Sequence, residues 1–268
     1  MNDQEATALW YHDHAMDITR FTVMSGLLGM YLIRDKEEDA LNLPDGKYEV
    51  PLIICDRNLN TDSQGKLTGE LLFKIPAITE ASPIPAMPSI RTLFMFVGPY
   101  TLVNGVIWPH FKVETRWYRF RVLNASHNRS YKLFLIDEQN VSVKGAIKQI
   151  GTDSGLLGAA LPIDEGLTLA PAERADILIN FSAFRGKNLR LVNTGREPAG
   201  IPESHPLFKH ILLGQTDPEN GLVEPDVMQF RVSSKTFHDH SNSRPSCHRP
   251  SPALPTMICR TITRTGGS

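Results

Sequence analysis

The chain has 268 residues, enough for one large domain or two of ordinary size, and its 41% hydrophobic and 21% charged residues describe a folded chain, not a disordered one. With 28 Lys and Arg against 29 Asp and Glu the net charge is -1, which gives no electrostatic footprint for nucleic acid or an anionic membrane. Three cysteines (Cys55, Cys247, Cys259) without a C-x-x-C spacing exclude a disulfide-stapled scaffold, and neither a phosphate-binding G-x-x-x-x-G-K-[ST] nor a dinucleotide-binding G-x-G-x-x-G occurs.

The N-terminus, Met1-Asn2-Asp3-Gln4-Glu5, is polar and acidic and does not read as a secretory signal peptide, and no stretch is apolar enough for a membrane span. The first predicted element is the run Leu9-Trp10-Tyr11 entering His12-Asp13-His14, which reads as a strand. Lys36-Glu37-Glu38-Asp39 reads as a solvated loop that ends this segment. Tyr48–Cys55 is the next strand; Ile75–Ile90, with four prolines, is expected to be an extended surface loop. Strands follow at Trp117–Leu123, Ser130–Leu135, Ala175–Phe181, Leu189–Val192 and Val227–Val232, several alternating polar and apolar residues at period 2. No segment sustains a helical period for four turns. Short strands with turn residues between them predict an all-β sandwich or Greek-key barrel. After Val232 the composition turns to Ser, Arg, Thr, Pro and His, so residues 233–268 are expected to bury no core and to lack fixed structure.

The sharpest chemical feature is His12-Asp13-His14. On a strand, residues i and i+2 share a face, so both imidazoles could reach one metal centre, and imidazole suits Cu, Zn, Fe and Ni. Two surface histidines that happen to alternate are the other reading. A zinc hydrolase pattern His-x-His-x-Asp-His is excluded, because Met16 and Asp17 stand where Asp and His belong, and no G-x-S-x-G nucleophile elbow is present.

With its flanks, this segment resembles the end of the first cupredoxin domain of a multicopper oxidase, in the branch of bacterial spore-coat laccase, bilirubin oxidase and phenoxazinone synthase. The matching residues are Leu9–Met16, Thr19-Arg20 and Gly26–Asp35, then Val50–Ile53, Asp56-Arg57, Leu102–Gly105 and Trp108-Pro109. They continue through Tyr118–Ser126, Ile150–Leu157, Leu169–Asp176 and Val227–Val232, so the resemblance spans residues 1 to 232 in order. It implies a cupredoxin-like Greek-key fold with residues 1–35 closing a first domain, 36–47 a linker and 48–232 a second domain without copper. The tail, 233–268, would be disordered or frameshifted.

The resemblance further implies copper as cofactor, four ions in a complete enzyme, with His12 and His14 each ligating one of the two type 3 coppers of the trinuclear cluster. Trp10 and Asp13 would orient the rings. The substrates implied are a phenol or aminophenol, oxidised with reduction of dioxygen to water. The family's first His-x-His and its C-terminal His-Pro-x-His-x-His and His-Cys-His motifs have no counterpart here, so the further cupredoxin domains are expected in cis and the chain alone is expected to be inactive. An alternative is a non-catalytic cupredoxin-type binding or structural module. Residues 7–35 without earlier strands predict poor solubility.

Two decoys carry little. Phe237-His238-Asp239-His240 repeats the triplet outside any strand, and Cys247-His248 has Ser246 where the type 1 copper motif has a histidine. His110, His127, His205 and His210 read as ordinary surface or loop histidines. Cys55 reads as a small buried hydrophobe, and Glu173, Arg174 and Asp176 as a structural ion pair or turn.

Overall fold

A computed structural model describes residues 4–73, 77–81, 89–93, 96–194, 226–237 and 259–263. In chain order its elements are β1 (Thr7–His12), α1 (Thr19–Met24), β2 (Leu28–Arg34), α2 (Lys36–Asp39), β3 (Glu49–Thr61), β4 (Leu67–Leu72), β5 (Ala77–Ala81) and β6 (Ser89–Leu93). There follow β7 (Tyr100–Val103), β8 (Val106–Ile107), β9 (His110–Val113), β10 (Trp117–Asn124), β11 (Tyr131–Ile136) and β12 (Ile147–Thr152). The last are β13 (Gly155–Pro162), β14 (Leu167–Leu169), β15 (Arg174–Asn180), β16 (Asn188–Asn193), β17 (Asp226–Val232) and β18 (Cys259–Thr263). The architecture is all-β, and the strands expected from period-2 patterning are present as β1, β3, β10, β11, β15, β16 and β17.

Two sheets form the body. One runs β13-β12-β15-β10-β3-β7-β8, with β4 on β3; the other runs β14-β11-β16-β17-β9. The parallel pairs β10–β3 and β17–β9 join strands distant in sequence, so hairpins alone do not build the sandwich. Between the sheets Leu52, Ile54, Phe120, Val122, Leu133, Leu135, Ile177 and Ile179 belong to one core with Leu189, Leu191 and Phe230. Phe120, Phe181 and Phe230 meet at centroid distances of 5.1 to 6.4 Å, offset and tilted as aromatic rings prefer. The β7–β8 hairpin turns on Asn104 (φ 50°) and Gly105 (φ 82°), the Asn-Gly pair a two-residue turn with positive φ requires. Asn104 also accepts from Ile53 N (2.8 Å) and donates to Pro51 O (2.9 Å), pinning the turn to β3.

β10 has two buried faces. Tyr118, Phe120 and Val122 enter the core, while Arg119, Arg121 and Leu123 lie on the opposite face, beneath the N-terminal segment. There Ala8, Val23, Leu28, Met30 and Leu32 pack with Cys55, Leu123 and Ala125, and Leu43 packs with Ile150 and Leu178.

Three expectations are corrected. Lys36–Asp39 is the short helix α2, capped by Asp35 accepting from Glu38 N (2.7 Å), and Glu38 is only 4% exposed. A carboxylate is buried here because arginines from β10 meet it. Within Ile75–Ile90, the backbone of Ala77–Ala81 pairs antiparallel with Ser89–Leu93, so part of the expected loop is a hairpin ladder. In the tail, the backbone of Cys259–Thr263 runs parallel to β2, Cys259 opposite Met30 and Thr263 opposite Arg34. Regular structure therefore exists inside a segment expected to have none.

Candidate metal-ligating pair

β1 pairs antiparallel with β2, setting Trp10 opposite Met30, Tyr11 opposite Gly29 and His12 opposite Leu28. A Cβ at Gly29 would meet the Tyr11 ring at 2.7 Å, so the glycine lets that ring lie flat across β2. The strand ends at His12, and His14 lies beyond it in a turn, not on the same strand face. Asp13 makes the turn: its Oδ1 accepts from Ala15 N at 2.5 Å, and Ala15 O then accepts from Ile18 N, Thr19 N and Thr19 Oγ1, leading into α1. The two imidazoles nonetheless stand side by side, ring centroids 5.7 Å apart.

His12 is held on two sides. The Trp10 indole stacks on it with centroids 4.3 Å apart and planes at 29°, and its Nδ1 lies 2.6 Å from the Asp13 carbonyl oxygen. Since a carbonyl only accepts, Nδ1 carries the proton, and the Nε2 lone pair is left for a ligand. A ring nitrogen tied to an oxygen acceptor in this way fixes the tautomer that metal binding needs. Asp13 orients His12 through its main chain; its carboxylate serves the turn. Among the described residues no group of three or more His, Cys, Asp or Glu is placed to hold a metal ion. The pair fits as part of a donor set, not as a whole one.

Of the other singled-out residues, His110 is exposed at the start of β9, and Cys55 is buried with its thiol pushed up to about 11 by burial, the small hydrophobe expected. Glu173 accepts from Ala170 N (2.6 Å) and Arg174 pairs with Asp153 (3.0 Å), both structural. His127 is half-buried, not an open loop residue. His205, His210, His238, His240, Cys247 and His248 lie outside the described residues.

An ionic layer between the N-terminal segment and the sandwich escaped the sequence reading. Arg119 donates to Asp176 (2.6 Å) and pairs with Glu38 (2.7 Å); Arg121 donates to Glu49 and Asp176, both at 2.8 Å, and to Glu38; Arg34 pairs with Glu49. Burial alone would raise the Glu49 carboxyl, but Arg121, Arg119 and Arg34 outweigh it and hold it down at about 2. Burial would likewise lower the Arg119 guanidinium; Asp176, Glu38 and Glu49 raise it instead. The available sign was Tyr118-Arg119-Phe120-Arg121-Val122: two arginines on one face of a strand whose other face is apolar. Alternation alone does not tell whether that face meets water or buried carboxylates.

No protein-family model matches the chain. It is 39% identical over 244 residues to a laccase of Bacillus subtilis, covering 91% of this chain and 41% of that protein. Against a bilirubin oxidase of Albifimbria verrucaria it is 34% identical over 272 aligned positions, 99% of this chain and 41% of that protein. Among solved structures, the McoA multicopper oxidase of the hyperthermophile Aquifex aeolicus superimposes with a TM-score of 0.64 at 29% identity, covering 93% of this chain and 46% of that one. The chain thus spans about two fifths of the length of these curated relatives. Among the described residues no helix is long and apolar enough to cross a membrane.

Proposed function

This chain belongs to the multicopper oxidase family, and we propose that it is the part of a laccase-like oxidase in which His12 and His14 each supply an imidazole to one type 3 copper. In this reading residues 1–35 close a first cupredoxin domain, 36–47 link it to the next, and 48–232 form a second domain that holds no copper and serves as spacer and wall. When bound, copper in this family supplies one-electron oxidation of a phenol or aminophenol and reduction of dioxygen to water.

The observation that carries the reading is the state of His12. Its Nδ1 is tied to the Asp13 carbonyl, its plane is set by Trp10, and His14 stands beside it. These contacts leave the Nε2 lone pair of His12 available to a metal, with a second imidazole beside it. Two imidazoles do not complete a copper site, which takes three or four protein ligands, so the chain by itself does not turn over. The remaining ligands come from other cupredoxin domains in cis.

Titration of the chain with copper(II), followed by electron paramagnetic resonance, tests the ligand assignment. Nitrogen-coordinated copper is expected for the chain and its loss in His12→Ala/His14→Ala. Equal binding by the double variant removes the assignment. Oxygen uptake with 2,6-dimethoxyphenol by the isolated chain, expected to be nil, overturns the incomplete-site reading if it occurs.

A further inference from the structure

Helix α1, which leads directly out of the His14 turn, is held to the sandwich at two of its carbonyls. Buried Arg57 donates Nη2 to Val23 O at 2.8 Å, and His127 Nε2 lies 3.1 Å from Arg20 O. Because that partner is a carbonyl, Nε2 carries the proton and Nδ1 is a bare lone pair. Nδ1 is buried and has no hydrogen-bond partner among the described residues. The imidazole stands edge-on to a stacked pair, Phe73 and Phe96, with centroids at 5.9 and 5.8 Å. Arg20, whose guanidinium lies 4.6 Å above the Phe73 ring, faces it from α1. Asp56 and Arg57 face it from β3, and Asp56 is already engaged by Gly98 N (2.6 Å) and Arg129 (3.3 Å).

This environment accommodates a neutral ring and penalises a second proton. A proton on Nδ1 would be a charge without an acceptor, against aromatic edges and between two arginines. Burial, with the nearby Arg57 and Arg20, holds the imidazole below its ordinary value despite Asp56 and the Arg20 carbonyl.

We propose that His127 is an acid-released latch: neutral, it pins α1 through the Arg20 carbonyl, and on gaining a second proton it leaves the Phe73–Phe96 site and frees α1 together with the turn that carries His14. The consequence for copper rests on the function proposed above; the latch does not. It is read on backbone amides without metal, so its failure and that of the copper assignment are separable.

The test is an NMR titration of the His127 ring in the full chain between pH 8 and pH 5, with amide hydrogen exchange at residues 19–24 over the same range. His127 is expected to gain its proton below the ordinary imidazole value of about 6.5. Protection of the α1 amides, corrected for intrinsic exchange, is expected to fall as it does so, by up to about tenfold for each pH unit of depression. His127→Gln keeps an N–H for the Arg20 carbonyl and should show no such step. Proton uptake at or above the ordinary value overturns the proposal, as does a step of equal size in His127→Gln. Should that variant fail to fold, the titration of the native ring decides by itself.

Discussion

Glu38→Gln separates a solvated charge run from a buried ionic joint. Three cations (Arg34, Arg119, Arg121) balance three carboxylates (Glu38, Glu49, Asp176) in one layer. Removing the Glu38 charge leaves three against two, with the Arg119 and Arg121 side chains only 2% exposed and unable to reach water. Breaking a buried ion pair on one side costs about 3–5 kcal/mol. The Arg34 side chain, 20% exposed, can relax toward solvent, so the lower end, about 3 kcal/mol, is expected. In a chain of this size that lowers the midpoint of thermal unfolding by about 6–12 °C. The control is Glu37→Gln, one residue away on the exposed side of α2, where a change within about 0.5 kcal/mol is expected. Circular dichroism melts of the two variants at pH 7 decide the matter. Equal midpoints would refute the joint and restore the solvated loop.

Glu49, held at about 2 when folded against an ordinary carboxylate near 4.5, contributes about 3 kcal/mol that is fully present above pH 4.5 and lost as the pH falls toward 2. Urea midpoints at pH 6 and pH 3 should show that loss, and Glu49→Gln should remove this part of the slope. Gly98→Ala places a Cβ against the Arg57 backbone of β3, which no side-chain motion relieves. A loss of about 3 kcal/mol is expected, and an unchanged denaturant midpoint would contradict that packing. With Cys247 and Cys259 replaced by serine, the Cys55 thiol, pushed up to about 11 by burial, should resist iodoacetamide at pH 8 and react readily in urea. Fast native alkylation would contradict the burial of Cys55.

Period-2 patterning located most strands of the sandwich because half-buried strands write their inner face into every second residue. Of the strands it missed, β4, β7 to β9, β13 and β14 are short or lie at sheet edges, where packing against one neighbour constrains few residues, whereas β2 is largely buried on both faces and β12 carries a register shift at Gln149–Gly151, so neither alternates cleanly. The Asn104-Gly105 turn, not singled out from the sequence, carries positive φ at both positions, which admits few residue types. His12 and His14 were legible as a pair from spacing, although the geometry reached was a strand end and a turn held by Asp13 instead of a continuous strand face.

What the sequence by itself determined is the all-β class, the position of seven of the strands and the His12–His14 candidate pair, since each follows from local spacing and the conformations a residue type allows. What only the tertiary structure decided is which polar residues are buried and against what. Glu38 and Arg121 are separated by 83 positions and His127 and Arg20 by 107. A charged residue looks the same in sequence whether its face meets water or an opposite charge. The difference is made by chain topology, when α2 and α1 close over the outer face of the sheet built on β10 and β3.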